Sequence, residues 1–598
     1  MELCFRIFFA DDVVTVSSAD LIFQKENNGI VYHTRVRNAD VTWRFTHAQK
    51  GSRITLSVDG ETSLGITRID SLFFQIPDAP ITARVLFFGN HLTQSTSLYP
   101  CEMGQEREYA TDCTGLFPTL ADSGMALAMI APFTNAVGAG ALRTDDTLHF
   151  FAKTEFTKAM QNSCHLEAEE VLWCEDITID ELYTVYRELL PKSHFPMPRL
   201  TGWNSWDYYL DRITPEDIFE NIDALEKMPF ADRLDYVVID DGWQKNWGEW
   251  VENEKFACGL DYVANRIRER GFLPGIWTAP LMMKQSCAHF SERQHWFCLN
   301  EQGEHIRDVG DLIDPTVPQA REFILDIYRR LYAAGYRLFK IDYLSPLLNA
   351  RRFYDKDATP YAILRQLILD IRACTGEDAV ILGCSLPVQC GADIAPSMRI
   401  GVDIHNHFSH VEWIAEMLSW TWMYNNRTTR IDPDFLIVRC NETSTEAVEC
   451  EGKPNYRAPK RRCEQKDKDV FGTRWRHADL FNRVEAQTWA NLVSICGGNI
   501  FLSDRMSRIN ATGIEILDQA IRNAAEECRP CFLPTDHRRP TLWRSESTLL
   551  IVNWESTPAT VRIDNLPTTL TSQQPFTMEN GTLTVSLLPH ESFFATVQ

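Results

Sequence analysis

The stretch Leu234-Asp235-Tyr236-Val237-Val238-Ile239-Asp240-Asp241-Gly242-Trp243 is a short apolar run that ends in two carboxylates and an indole. The stretch Tyr336-Arg337-Leu338-Phe339-Lys340-Ile341-Asp342-Tyr343 repeats this pattern further along the chain. Continuous apolar runs of this length, separated by amphipathic helical stretches, are typical of buried strands in a parallel sheet with crossover helices. Candidate strands end near Trp203, Asp240, Trp277, Asp342, Cys384, Ile400, Arg439 and Ser503. Eight such strands predict a (β/α)8 TIM barrel.

The regions on either side of these strands have a different pattern. Up to about Ser193, short runs with strand character, such as Val41-Thr42-Trp43-Arg44-Phe45, alternate with turn signals and predict a β-sandwich. From about Pro534 onward, runs such as Thr548-Leu549-Leu550-Ile551-Val552 predict a small antiparallel β domain. We therefore expect a multidomain chain: an N-terminal β-sandwich over residues 1–193, the barrel over 194–530 and a C-terminal β domain over 531–598.

Two further features belong to the barrel region. Thr214-Pro215-Glu216-Asp217 predicts a capped helix start, and Gly271 and Gly335 predict helix ends. Between residues 440 and 479 lies a polar stretch that contains Lys460-Arg461-Arg462 and has almost no apolar periodicity. It is interpreted as a long loop after the seventh strand, either a solvated insertion or a border of the substrate site.

Composition restricts the class of function. A chain of 598 residues, 44% hydrophobic, is long enough for several domains. Its formal net charge of -23 argues against binding to nucleic acid or to an anionic membrane. The N-terminus has no basic segment followed by an apolar run, and no stretch approaches the roughly 18 apolar residues of a spanning helix. Since the 17 cysteines also suit reduced thiols, we expect a cytoplasmic protein with a neutral substrate.

In a (β/α)8 barrel the chemistry lies at the carboxyl ends of the strands. Lys340 and Asp342 are two residues apart, so on a strand they point to the same side, and the cation is expected to lower the pKa of Asp342. A buried structural salt bridge is the alternative for this pair. Asp403, which follows Met398-Arg399-Ile400-Gly401-Val402, places a second carboxylate on another loop. Two opposed carboxylates are what glycoside hydrolysis requires.

Other side chains at these strand ends allow two interpretations each. Asp240-Asp241 could bind a metal ion, but no further oxygen ligands accompany them, and sugar hydroxyls are the other candidate partners. Trp203, Trp206 and Trp277 could either stack on a sugar ring or pack in the core. His405, His407 and His410 form either a metal cluster or part of the pocket wall. We expect no metal ion at these positions.

Taken in order along the chain, these motifs resemble glycoside hydrolase family 36, the bacterial α-galactosidases. The resemblance covers roughly Thr201 to Arg505. It is carried by Val238-Ile239-Asp240-Asp241-Gly242-Trp243, Gly275-Ile276-Trp277-Thr278-Ala279-Pro280, Phe339-Lys340-Ile341-Asp342, Ile381-Leu382-Gly383-Cys384 and Met398-Arg399-Ile400-Gly401-Val402-Asp403. The family has the sandwich, barrel and C-terminal β domain described above, and it needs no cofactor.

The resemblance also implies a role for each residue of the site. Asp342 would be the nucleophile and Asp403 the general acid/base of a retaining exo-glycosidase that removes terminal α-galactosyl residues from oligosaccharides or glycoconjugates. The residues implied to bind the substrate are Asp240 and Asp241 at its O4 and O6 hydroxyls, Lys340 and Arg399 at polar positions of the glycone, Cys384 near its 2-position, and Trp203 and Trp277 in the pocket wall. A transglycosidase, which shares the first half of this mechanism, is one alternative, and a non-catalytic carbohydrate-binding protein is the alternative from another class.

The sequence departs from the family at one loop, which reads Gly383-Cys384-Ser385-Leu386-Pro387 where Gly-Cys-Gly-Ser-Pro is usual. This loop is expected to face the substituent at the 2-position of the sugar. Leu386 could fill space and favour galactose, or the altered backbone could open an apolar recess for an N-acetyl group. The second possibility makes an α-N-acetylgalactosaminidase the alternative within the family.

Overall fold

A computed structural model of the chain describes residues 2–78, 84–90, 97–99, 107–119, 124–157, 160–446, 480–531, 533, 536, 539–566 and 569–597. Most of the predicted polar loop, residues 447–479 with Lys460-Arg461-Arg462, lies outside the described residues. Over the part of the chain that is described, no helix has the length and apolar character needed to span a membrane.

The first part of the chain forms an extensive antiparallel sheet. Its fifteen strands are β1 (Cys4–Phe9), β2 (Val13–Ser17), β3 (Phe23–Glu26), β4 (Gly29–Val36), β5 (Ala39–His47), β6 (Ser52–Gly60), β7 (Ile66–Ile76), β8 (Arg84–Asn90), β9 (Ser97–Tyr99), β10 (Arg107–Thr119), β11 (Gly124–Met129), β12 (Ala136–Thr144), β13 (Thr147–Glu155), β14 (His165–Glu167) and β15 (Val171–Ile177). The rings of Phe5 in β1 and Trp43 in β5 have centroids 5.1 Å apart, although β1 and β5 are distant in the strand order. The sheet therefore folds back on itself and encloses a core between its two halves.

The central part contains a parallel sheet of nine strand segments and two short antiparallel strand pairs, the hairpin of β18 with β19 and the pair of β21 with β22. The strands of this part are β16 (Thr201–Asn204), β17 (Tyr236–Ile239), β18 (Gln244–Asn246), β19 (Glu249–Glu252), β20 (Leu273–Thr278), β21 (Met282–Met283), β22 (Asp311–Leu312), β23 (Leu338–Ile341), β24 (Val380–Gly383), β25 (Ser397–Arg399), β26 (Arg430–Asp432), β27 (Phe435–Leu436) and β28 (Ile500–Leu502). In the parallel sheet, β26 pairs with β25, whereas β27 pairs with β28, which pairs with β16. Since β26 and β27 are two pieces of one interrupted strand, the sheet closes into a ring of eight strands, as expected for a TIM-like barrel.

Helices connect the barrel strands. The described helices are α1 (Ile179–Leu189), α2 (Trp206–Tyr209), α3 (Pro215–Leu225), α4 (Leu260–Glu269), α5 (Pro318–Ala333), α6 (Pro360–Thr375), α7 (Val388–Gly391), α8 (Phe408–Thr421), α9 (Arg483–Ile495) and α10 (Ala511–Arg522). At the start of α3, Thr214 and Asp217 form the predicted capping box. Gly271 and Gly335 follow α4 and α5 with φ values of +85° and +110°, which confirms them as predicted helix ends.

The seventh barrel strand differs from its prediction. The sequence places the end of this strand near Arg439, whereas the structure gives two short pieces, β26 and β27, interrupted at Pro433 and Asp434. Pro433 has no backbone N–H for a sheet hydrogen bond, and Asp434 has a φ of +80°, so neither residue continues the strand. The interruption turns the chain at the mouth of the barrel.

The last part of the chain forms two small antiparallel sheets. Their strands are β29 (Arg529–Cys531), β30 (Leu542–Arg544), β31 (Thr548–Val552), β32 (Ala559–Ile563), β33 (Leu570–Thr571), β34 (Thr577–Glu579), β35 (Thr582–Leu587) and β36 (Ser592–Val597). They enclose a separate core that includes Leu549, Ile551, Leu583 and Phe593. Buried residues of the first sheet and of the barrel, in contrast, belong to one continuous cluster. The domain boundaries near residues 193 and 530 stay predictions.

Candidate active site

Charged side chains gather at the carboxyl edge of the barrel. Asp240 follows β17 directly, Asp342 follows β23, Arg399 ends β25, and Asp403 lies four residues beyond it. Because parallel strands end at the same edge, these residues from three strands surround one mouth.

Lys340 contacts Asp240 rather than Asp342. Its Nζ donates to Asp240 Oδ2 at 2.7 Å, and both side chains are buried. Asn204 Nδ2 donates to the same oxygen at 2.9 Å. The pair thus links β17 to β23 across the interior, and Asp240 Oδ2 accepts from two side-chain donors.

The expected effect of Lys340 on Asp342 is therefore only partly correct. Burial raises the pKa of Asp342, and the positive charges of Lys340 and Arg399 oppose this shift without reversing it. Lys340 favours the ionised form of Asp342 as predicted, but the net pKa lies above the ordinary aspartate value. The sequence pattern predicts the nearby cation, Lys340, but it does not predict that burial removes water from the Asp342 carboxylate.

Two donors orient the Asp342 carboxylate. Trp277 Nε1 donates to Oδ2 at 3.2 Å, and the backbone N–H of Tyr343 donates to Oδ1 at 2.7 Å. Tyr343 has a φ of +56°, an unusual conformation for a bulky residue, which directs its N–H back to the preceding side chain. Both contacts favour the ionised form of Asp342 and fix its direction.

Asp241, beside Asp240, is held in a different way. Its Oδ1 accepts from the Gln244 side chain and from Trp247 Nε1, the latter at 3.2 Å. Burial, together with the neighbouring charge of Asp240, raises the pKa of Asp241 to about 6. Gln244 and Trp247 lie at the hairpin that follows β17, so this hairpin completes one wall of the mouth.

Asp403 is bound to Arg399. Arg399 Nη2 donates to Asp403 Oδ1 at 2.6 Å, and the Asp403 side chain is 36% exposed. Arg399 is buried and also donates from Nη1 to Asp434 Oδ1 at 2.8 Å. Asp434 is not among the residues predicted for the site, although a Pro-Asp pair inside a predicted strand indicates an interruption at the mouth.

The side chain of Tyr343 marks the point where these carboxylates converge. Burial raises the pKa of the Tyr343 phenol, and the charges of Asp342, Asp403 and Asp241 raise it further. The ring packs against Trp247 with centroids 4.9 Å apart. The structure therefore brings Asp342, Asp403 and Asp241 to one site beside two aromatic rings, Tyr343 and Trp247, that are not among the predicted site residues.

Two of the three histidines after Asp403, His405 and His410, have different side-chain partners. His405 Nδ1 lies 2.7 Å from Asp207 Oδ1. His410 Nδ1 lies 2.8 Å from the backbone oxygen of Asp403, and burial lowers the pKa of His410 to about 3. In the described ranges, no group of three or more His, Cys, Asp or Glu side chains has the arrangement of a metal site.

Known proteins similar to this chain are α-galactosidases. No family model matches the chain. The bifunctional α-galactosidase/sucrose kinase AgaSK of Mediterraneibacter gnavus is 26% identical over 155 residues, which is 24% of this chain and 16% of that protein. The α-galactosidase AgaA of Geobacillus stearothermophilus is 31% identical over 75 residues, which is 11% of this chain and 10% of AgaA. The matched segments thus span a small part of either relative.

Solved structures match almost the whole chain. TtGalA, an α-galactosidase from Thermus thermophilus in complex with p-nitrophenyl α-D-galactopyranoside, has a TM-score of 0.58 at 18% identity and covers 86% of this chain and 97% of its own. The family 36 α-galactosidase AgaA of Geobacillus stearothermophilus has a TM-score of 0.62 at 13% identity and covers 99% of this chain and 88% of its own. This chain has the glycoside hydrolase family 36 fold. The resemblance found in the sequence motifs is confirmed at the level of the fold.

Of the two tryptophans that the resemblance to family 36 implies in the pocket wall, one lies differently from expectation. Trp203 is 0% exposed, and its Nε1 donates to the Asp504 backbone oxygen at 2.9 Å. Without exposed surface it is a core residue rather than part of the pocket wall. Trp277, in contrast, contacts Asp342 directly and packs against Trp247 with centroids 5.3 Å apart. Trp203 therefore packs in the core, whereas Trp277 lies at the mouth of the barrel.

In the loop that departs from the family pattern, the packing of Leu386 agrees with the first of the two possibilities, that this side chain fills space. Leu386 is 0% exposed, and its Cδ2 lies so close to Gly383 and Gly391 that a Cβ on either glycine would be 2.7 or 2.6 Å away. Leu386 therefore fills space behind the strand end and does not line a recess. Cys384 is buried near Lys340 and Arg399, and burial raises the pKa of its thiol, which keeps it neutral.

Proposed function

We propose that this protein is a retaining exo-α-galactosidase of glycoside hydrolase family 36, with Asp342 as nucleophile and Asp403 as general acid/base. The observation that carries the proposal is the convergence of these carboxylates at one barrel mouth in unlike surroundings. Asp342 has an indole and a backbone N–H on its two oxygens, whereas Asp403 is bound by a guanidinium and is partly exposed. A double-displacement glycosidase needs two carboxyl groups with different tasks.

The proposed reaction has two steps. Asp342 attacks the anomeric carbon while the bond to the aglycone oxygen breaks and Asp403 gives its proton to that oxygen. Water then attacks the anomeric carbon of the galactosyl ester, Asp403 takes its proton, and Asp342 leaves as the carboxylate. Two inversions produce galactose of the original α configuration.

The surroundings of Asp342 suit a nucleophile. Burial removes water from the carboxylate, which raises its pKa and makes the anion more reactive, whereas the contacts from Trp277 and Tyr343 N keep the anion populated. The sign of the shift means that the nucleophile becomes protonated as the pH falls through its raised pKa. We therefore expect the acidic limb of the pH–activity profile to report Asp342.

The glycone is proposed to lie against the buried polar network of the mouth. Asp240 and Asp241 would accept hydrogen bonds from the O4 and O6 hydroxyls, Lys340 and Arg399 would donate to other sugar oxygens, and Trp277 would face the ring. A site built from buried hydrogen-bonding groups discriminates strongly, because an epimer leaves some of them unpaired. No cofactor is proposed.

The proposed substrates are α-galactosyl oligosaccharides or glycoconjugates. TtGalA has been solved in complex with stachyose, and a variant of AgaA in complex with raffinose. A transglycosidase would differ only in passing the galactosyl group from Asp342 to a sugar hydroxyl instead of to water. A carbohydrate-binding protein without activity would not need Asp342 and Asp403 to lie in surroundings that make them reactive.

Turnover of three 4-nitrophenyl glycosides by the purified protein tests this proposal. We expect rapid release of nitrophenol from the α-galactoside, and kcat/KM lower by several orders of magnitude for the α-glucoside, whose O4 is equatorial. Free galactose as the product separates hydrolysis from transfer to a sugar acceptor. Comparable rates for both epimers would contradict the galactose assignment, and no turnover of any glycoside would favour the binding protein.

The third glycoside, the α-N-acetylgalactosaminide, tests the 2-position. Since Leu386 is fully buried and opens no recess, we expect the acetamide to be excluded and the galactoside to be the better substrate. A pocket shaped for the acetamide would lose only about 1–3 kcal/mol with galactose, so the preference is sharp only if the pocket is closed. A clear advantage for the acetamido sugar would assign the protein as an α-N-acetylgalactosaminidase.

A further inference from the structure

Asp434 occupies an unusual place beside the proposed acid/base. It is buried, it lies in the gap between β26 and β27, and its φ of +80° is strained for a residue with a side chain. The interruption of the strand allows the carboxylate to reach the loop that carries Asp403. Such a strained residue needs compensating contacts.

Those contacts form a clamp on the Asp403 loop. Asp434 Oδ1 accepts from Arg399 Nη1 at 2.8 Å, and Oδ2 accepts from the backbone N–H of Ile404 at 2.7 Å. Arg399 in turn donates from Nη2 to Asp403 Oδ1 at 2.6 Å and from Nε to the Gly401 backbone oxygen at 2.8 Å. One guanidinium therefore bridges two carboxyl groups, and Asp434 also holds the peptide that follows Asp403.

We propose that Asp434 is a positioning residue that keeps Asp403 available as a proton donor by competing with it for Arg399. This inference rests on the proposed function of Asp403. A guanidinium bound to Asp403 alone would stabilise the carboxylate and remove the proton that a general acid must carry. Because Arg399 also binds the Asp434 carboxyl, it stabilises the ionised form of Asp403 less strongly.

The electrostatics of the pair agree with this geometry. Burial raises the pKa of Asp434 to about 8, against the attraction of Arg399, and the charge of Asp403 adds to the shift. Two carboxyl groups coupled through one cation titrate as a pair, so the negative charge of Asp434 opposes the ionisation of Asp403. Without Asp434, Asp403 would have the guanidinium to itself and would ionise at a lower pH.

Other groups also act on this pair. The described titratable and charged groups around it are Lys340, Asp342 and Tyr343 at the end of β23, Cys384 at β24, Arg399 at β25, Asp432 at β26, and His410 on α8. Cys384, Tyr343 and His410 are neutral at physiological pH because burial shifts their pKa values. The remaining charges are present in every variant below, so they do not account for a difference between variants.

The test is the pH dependence of kcat/KM for an α-galactoside with an alkyl leaving group, which needs the proton donor. For Asp434→Asn we expect the alkaline limb to move down by about one pH unit, because an undivided Arg399 favours ionised Asp403. Activity should recover as the pH is lowered toward the acidic limb. A residue with a structural role only would reduce kcat/KM by the same factor at every pH, and that result would overturn the proposal.

Two further variants make the test independent of folding defects. Asp434→Gly removes the carboxylate and suits the left-handed backbone, so it should shift the limb in the same direction even if Asp434→Asn does not fold. Asp504→Asn is the matched control, because Asp504 accepts from Arg439 Nη1 at 2.8 Å and from Val438 N–H at 2.7 Å and does not contact Arg399. The alkaline limb of the kcat/KM profile of Asp504→Asn should coincide with that of the unmodified protein.

The outcomes separate this inference from the proposed function. If the unmodified protein hydrolyses the galactoside with an alkaline limb that Asp434→Gly leaves in place, the clamp does not control the acid and only the inference fails. An equal shift in Asp504→Asn would likewise attribute the effect to general destabilisation and overturn it. If the unmodified protein shows no hydrolysis, the proposed function fails first.

Discussion

Replacing Asp342 with glycine is expected to abolish hydrolysis of α-galactosides, with kcat reduced by roughly 10⁴- to 10⁶-fold, as for removal of other enzymatic nucleophiles. The variant removes the only carboxylate proposed to attack the anomeric carbon and leaves a small cavity beside Trp277. Azide is small enough to enter this cavity and attack in place of the carboxylate. A single displacement inverts the configuration, so the product should be β-galactosyl azide.

Turnover of an activated aryl α-galactoside by this variant, with and without azide, checks the expectation. The unmodified protein with azide is the control for non-specific anion effects, and circular dichroism checks that the fold is intact. Activity of Asp342→Gly close to that of the unmodified protein without azide would contradict the assignment of the nucleophile.

Replacing Asp403 with alanine is expected to affect substrates according to their leaving groups. An alkyl or sugar aglycone needs a proton as its bond breaks, so kcat/KM should fall by about 10²- to 10⁴-fold. A dinitrophenyl aglycone leaves without protonation, so its kcat/KM should change little. Its kcat should still fall, because Asp403 also activates the water of the second step.

The comparison of these substrates separates an acid from a binding residue. Equal losses for both leaving groups would argue against the acid function of Asp403. Azide provides a second check: in this variant it should intercept the galactosyl ester on Asp342 and give α-galactosyl azide after two inversions. If instead the Asp342 variant gave α-galactosyl azide and the Asp403 variant gave β-galactosyl azide, the two roles would have to be exchanged.

The strand ends were predictable because local chemistry determines them. The apolar runs before Asp240 and Asp342 are buried on both faces and end where a polar residue meets the barrel edge, so sequence alone places both carboxylates at the mouth. The start of α3 follows from the hydroxyl and carboxylate of Thr214 and Asp217, which are close in sequence. These features depend on neighbours within a few positions.

Partners that come from distant strands were not predictable in this way. Lys340 and Asp240 are a hundred positions apart, and only closure of the barrel brings them within 2.7 Å. The same holds for Asp434, whose link to Arg399 depends on an interrupted strand. The family motif likewise does not show that Trp203 is fully enclosed, because burial depends on the packing of neighbouring strands.

Proton NMR of the first product released from an aryl α-galactoside tests the central claim most directly. A nucleophile at Asp342 and an acid/base at Asp403 require double displacement, so α-galactose should appear first and the β-anomer only later, by mutarotation. Initial β-galactose would mean direct attack by water with the carboxyl groups further apart, and it would contradict the proposed mechanism.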